Sequence, residues 1–113
     1  MVDKDYLKSC LYELPNGWTK RFGDDLVDDV HKILSEEASD YPDFEYFVFQ
    51  VKEKYGKLRW YDSGFLSDSY HKLQEVIDKY EALSEKTCAI CGEEATMYHK
   101  GWYMPLCSTH KPD

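Results

Sequence analysis

The chain has 113 residues, 16% of them aromatic, and a formal net charge of −8. That length supports one modest domain with a small appended element and leaves no room for two independent cores. No stretch approaches the ~18 apolar residues of a membrane span, and the negative balance opposes bulk attraction to nucleic acid or anionic lipid.

Charge is unevenly spread. Residues 1–45 hold twelve Asp and Glu against five Lys and Arg, whereas residues 46–66 hold Glu53 and Asp62 against Lys52, Lys54, Lys57 and Arg59. A basic segment therefore sits in an acidic protein.

From Asp3 to Glu13, Tyr6, Leu7, Leu11 and Tyr12 recur at a spacing that predicts a short helix with one apolar stripe. Pro15-Asn16-Gly17 is expected to break it, since Asn-Gly is a strong turn pair, and Trp18 and Phe22 are expected to anchor the loop on the core. A second helix is predicted from about Asp24 to Ala38, burying Leu26, Val27, Val30, Ile33 and Leu34. Asp24, Asp25, Asp28 and Asp29 crowd its expected first turns, where carboxylates meet the positive end of the helix dipole. They read as a solvated, dipole-compensating face or as an acidic binding surface. His31 among them is expected to be an exposed helix residue.

From Phe44 to Lys54 the pattern changes to period two. Phe47, Phe49 and Val51 fall on one face, and Tyr46, Val48, Gln50, Lys52 and Lys54 on the other. A second strand, Lys57 to Tyr61, follows Tyr55-Gly56. Paired as a hairpin, it adds Leu58 and Trp60 to the apolar face and Arg59 and Tyr61 to the opposite one. Lys52, Lys54, Lys57, Arg59 and Tyr61 then form a candidate binding patch of cations and rings suited to phosphates and bases. A solubilising face, or ion pairs with helix acids, is the plain alternative. Asp62-Ser63-Gly64 ends the sheet. A third helix is predicted to start near Ser67 to Ser69, with a Ser cap and a buried stripe of Tyr70, Leu73, Val76, Ile77, Tyr80 and Leu83.

The last quarter carries the strongest motif. Cys88-Ala-Ile-Cys91-Gly92 is followed, after the spacer 92–106, by Cys107-Ser-Thr-His110. Cys-x-x-Cys grips a cation from a tight turn, with Gly92 suited to the strained position after the second Cys. The spacer is the length of a hairpin turning at His99-Lys100-Gly101. Four protein ligands, Cys88, Cys91, Cys107 and His110, leave no open position, so the zinc is expected to be structural. Disulfides would have to recruit Cys10 and would leave His110 unused. The opening Met1-Val-Asp-Lys-Asp shows no secretory signal, so a reducing, cytoplasmic setting is expected. His99 is read as an exposed turn residue, or as a substitute ligand.

The run Gln50-Val-Lys-Glu-Lys-Tyr-Gly-Lys-Leu-Arg-Trp-Tyr61, a following helix and the Cys-x-x-Cys-Gly…Cys-x-x-His element resemble a family of small bacterial and phage proteins. Their hairpin reads Val-Lys-Glu-Lys-Phe-Gly-x-Leu-Arg-Phe-Tyr and is joined to a C-terminal zinc-finger-like element. The resemblance covers roughly residues 44–110, with Tyr55 and Trp60 where the family has Phe. It implies architecture and a bacterial or phage origin, and no activity.

The fold expected is α+β: a small antiparallel hairpin packed with two or three helices over residues 1–87, and a zinc-ribbon-like lobe over 88–113 docked without a flexible linker. The function expected is a non-catalytic, acidic, zinc-containing binding protein, an inhibitor or adaptor that meets a protein partner. The alternative is nucleic-acid binding by the basic hairpin and the zinc lobe. Catalysis is disfavoured: no nucleophile motif, phosphate loop or isolated carboxylate pair stands out, and only three residues follow His110 to complete an open metal site.

Overall fold

Asp3 accepts the Tyr6 N–H at 2.8 Å and so caps the first helix, α1 (Lys4–Ser9). The computed structural model describes residues 3–41, 43–64 and 70–112. α1 is shorter than its apolar spacing predicts. Cys10, Leu11 and Leu14 each donate to the carbonyl three residues back, a tighter winding than α. Leu11 and Leu14 are thereby buried, while Tyr12, expected on the stripe, is 83% exposed.

Pro15-Asn16-Gly17 starts a helix instead of breaking one. Pro15, with φ −54°, precedes α2 (Asn16–Trp18), which runs through a π-helical turn (Thr19–Gly23) into α3 (Asp24–Asp40) with helical backbone at each junction. The local turn preference of Asn-Gly loses to packing: Trp18 and Phe22 are buried as expected, in the main core with Leu7, Leu26 and Val30. This corrects the dipole reading of Asp24, Asp25, Asp28 and Asp29, which lie inside a helical run and not at its positive end. Three of them clip α3 to its neighbours, Asp24 to Lys8 (3.3 Å), Asp28 to Lys4 (3.1 Å) and Asp29 to Lys79 (3.5 Å). His31 is half-buried, its Nε2 3.5 Å from the Ser35 hydroxyl.

The hairpin forms as β1 (Val48–Lys54) and β2 (Lys57–Asp62), antiparallel. Tyr55 (φ 54°) and Gly56 (φ 82°) make the two-residue turn with positive φ at both positions, the geometry that matches strand twist. The face assignment upstream of it is overturned. Val48 pairs with Asp62 and Gln50 with Tyr61, so Phe49 is the extra residue of a β-bulge. Period two is reset there. Tyr46 is 3% exposed and joins Val51 and Leu58 inside, whereas Phe47 and Phe49 are 54% and 70% exposed. Trp60 packs half-buried against the core, as expected.

The third helix, α4 (Tyr70–Ser84), buries Leu73, Ile77 and Tyr80, with Tyr70, Val76 and Leu83 partly covered. Its expected cap at Ser67 to Ser69 lies outside the described residues. β3 (Thr96–Tyr98) and β4 (Met104–Leu106) form a second antiparallel pair around residues 99–103, with Gly101 at φ 92°. The architecture is α+β, with two-stranded antiparallel sheets and helices in a rod of 54 × 21 × 19 Å. Among the described residues no helix is long and apolar enough to cross a membrane.

Candidate metal centre

The C-terminal segment is tied down before any ligand is placed. Thr87 bridges Glu94. Ala95 N–H donates to the Lys86 carbonyl (2.8 Å) and Ala89 N–H to that of Pro105 (2.9 Å). Cys88, Ala95, Leu106 and Cys107 form a small buried cluster, with Cys91, Tyr98 and Met104 against it. The knuckle then closes on itself: Gly92 N–H donates to the Cys88 carbonyl at 3.0 Å, with Gly92 at φ 83° as the motif requires. After β4 the turn 107–110 returns His110, whose N–H donates to the Cys107 carbonyl at 3.1 Å.

These two turns converge. The sulfur atoms of Cys88, Cys91 and Cys107 and a ring nitrogen of His110 all lie within 4.8 Å of one another. Cys91 and Cys107 sulfurs are 3.7 Å apart, and His110 Nδ1 lies 3.6 Å from Cys88 and 3.2 Å from Cys107. A tetrahedral ion with metal–sulfur bonds of about 2.3 Å and a metal–nitrogen bond of about 2.0 Å needs edges of about 3.8 and 3.6 Å. The donor set fits such an ion. His99 is exposed and outside the cluster, tilted against Tyr103 with centroids 6.3 Å apart.

The electrostatics point the same way. Burial works against the Cys88 thiolate, but the backbone N–H groups of Cys107, Cys91 and Ile90 outweigh it and pull the thiol down to about 6. Cys107 is lowered too: burial opposes this, and the His110 ring and N–H overcome it. Cys91 gains from the Glu93 N–H yet ends raised, because burial and the neighbouring Cys107 and Cys88 sulfurs resist another negative charge. Hydrogen bonds to Cys107 and Cys88 raise His110. Three thiols that cannot all shed protons alone call for a cation among them. Cys10 stands apart, half-buried, its thiol donating to the Tyr6 carbonyl and pushed up by burial.

The centre is seamed to the helical body by a contact that local sequence does not announce. Gly17 N–H donates to the Ala89 carbonyl (2.8 Å) and the Trp18 indole N–H to that of Thr87 (2.9 Å). A Cβ at Gly17 would lie 2.6 Å from the Gly92 nitrogen, and one at Gly92 would lie 2.8 Å from the Gly17 oxygen. Backbone meets backbone, so only glycine fits on either side.

The candidate basic patch comes together on one face through the pairs Gln50 with Tyr61, Lys52 with Arg59 and Lys54 with Lys57. α4 answers part of its charge: Lys57 meets Glu85 at 3.3 Å and Arg59 meets Glu81 at 3.6 Å. Lys52 and Lys54 instead lie over the rings of Tyr61 and Tyr55, 5.9 and 5.8 Å from the centroids. An aromatic band unforeseen in the sequence continues from the turn onto the C-terminal hairpin, Tyr55 against Tyr103 (6.5 Å) and Tyr98 against Trp102 (5.1 Å). The rings at 97–104 were visible as composition, but only folding brings them to Tyr55.

Fold and site together define an α+β protein with a closed Cys3His centre able to hold a metal ion. Compared with protein-family models, with curated proteins and with solved structures, the chain matches none.

Proposed function

We propose that this chain is a non-catalytic binding protein whose metal ion is zinc and serves structure alone, and that its partner is another protein, which it inhibits or links. The observation that carries the reading is the donor set: three sulfurs and one nitrogen at tetrahedral spacing leave no ligand position for water or substrate. A closed centre supplies folding energy and no chemistry, so function passes to the surface. That surface is acidic over residues 1–45, and its ion pairs to Lys4, Lys8 and Lys79 are solvent-exposed, worth up to about 1 kcal/mol each. Such pairs exchange cheaply for those of a basic partner. The resemblance to small bacterial and phage proteins fits this role.

The test is affinity capture by the zinc-loaded chain from a bacterial host, at graded salt. Capture that weakens with salt, and weakens when Asp24, Asp25, Asp28 and Asp29 are replaced by Asn, supports a basic protein partner. Capture indifferent to both removes the electrostatic part, and turnover abolished by metal removal refutes the non-catalytic part.

Nucleic-acid binding is a second reading, favoured by the aromatic band that carries the hairpin cations onto Tyr103 and Trp102. It is tested by fluorescence anisotropy of a labelled single strand. Four phosphate contacts give a salt slope of roughly −3, whereas no binding at low salt excludes it.

A further inference from the structure

A cavity of about 310 Å³ opens between the start of α1, the C-terminal half of α3 and the segment entering β1, away from the metal centre. Rings of Tyr6, Phe44, Tyr46 and Phe47 line it, its charged lining residues are Asp3 and Glu45, and neither Lys nor Arg is among the lining. Phe47 faces outward here because the bulge at Phe49 reverses the strand faces upstream of it. Leu34 and Ala38 of α3 complete the wall. On the same helical face lies Glu37, 2% exposed, whose Oε2 meets no hydrogen-bond donor among the described residues.

Each feature selects the same occupant. Ring faces attract cations, carboxylates at the rim repel anions, and a buried carboxylate oxygen without a donor gains most from a charged one. An apolar stem ending in a planar, multi-donor cation meets all three conditions.

We infer that this cavity is a docking site for an arginine side chain presented by a protein partner. The inference rests on the proposed function and deepens it, naming the partner's chemistry and the surface that reads it. The excess of acids over residues 1–45 supplies the long-range attraction, and the cavity supplies selectivity at contact.

The test uses the full, isotope-labelled, zinc-loaded chain titrated with N-acetyl-arginine amide, and with the citrulline analogue as an uncharged control of the same shape. Saturable shifts of the Ala38, Phe44 and Phe47 amides by the arginine probe are expected, with roughly tenfold weaker response to citrulline. Glu37→Gln is expected to weaken the arginine probe about tenfold. Since a change at a buried position can disturb folding, the exposed pair Asp3→Asn and Glu45→Gln is the second variant. Asn still caps α1, and this pair is expected to weaken the probe about threefold. Equal response to both probes, no response, or an arginine response unchanged in both variants overturns the inference. A stronger response to N-acetyl-lysine amide overturns the choice of arginine. Metal content measured on the same sample separates this result from the fate of the structural-zinc reading.

Discussion

Gly17 and Gly92 meet where the helical body touches the metal knuckle, and the contact is made by backbone atoms that cannot rotate aside. Gly17→Ala is therefore expected to destabilise the folded chain by about 2–3 kcal/mol, on the order of 10 °C in Tm for a protein this size, and to weaken metal affinity with it. Thermal unfolding read by circular dichroism checks this, and an unchanged Tm would mean the seam is looser than drawn. The four ligands were legible in the sequence because their chemistry fixes their spacing. Gly17 was not, because its partner lies far along the chain and leaves no local pattern. A second polar knot gathers on Asp62, which accepts from Tyr46 (2.5 Å), Tyr70 (3.0 Å), the Trp60 indole (3.2 Å) and the Gly64 N–H (3.0 Å). Burial first, and then these carboxylate bonds, raise Tyr46 and Tyr70; burial and the bond to Asp29 raise Tyr80. Phenols raised in the folded state favour it fully below the unfolded value of about 10 and withdraw that support as pH climbs beyond it. Spectrophotometric titration should show these three of the ten tyrosines ionising last and together with alkaline unfolding. Their titration in the ordinary range would refute the knot.

At the scale of elements, the stripes of α3 and α4 were readable because burial on a helix repeats every 3.6 residues and nothing interrupts either run. The faces of β1 were not, because alternation holds only while pairing stays one to one, and the bulge at Phe49 breaks that rule without a Gly or Pro to announce it. The same limit hid the continuous run from α2 to α3, where packing of Trp18 and Phe22 overrode the Asn-Gly turn. Phe49→Ser is accordingly expected to change stability by less than about 0.5 kcal/mol, whereas Leu58→Ala on the same hairpin should cost about 2–5 kcal/mol. Denaturant titration of both variants decides it. A large loss for Phe49→Ser would restore the alternating assignment.

Over the whole molecule, a rod whose body carries one apolar core ends in a segment with only a handful of buried side chains. So small a cluster holds no fold unaided, and structural zinc in isolated finger peptides contributes about 10–16 kcal/mol of apparent binding energy. Stripping the ion with a strong chelator is expected to unfold residues 87–112 and, through the Gly17 and Trp18 bonds, to shift indole emission from the body. Restoring zinc should reverse both. A chelated chain with native emission and an unchanged amide spectrum would show that the tail needs no metal.

The most direct measurement is X-ray absorption at the zinc edge on purified, stoichiometrically loaded protein. Three sulfurs at about 2.3 Å and one nitrogen at about 2.0 Å, with no oxygen shell, are expected of a closed clamp formed by Cys88, Cys91, Cys107 and His110. A bound water oxygen, or fewer than three sulfurs, would mean an open centre and would contradict a purely structural metal.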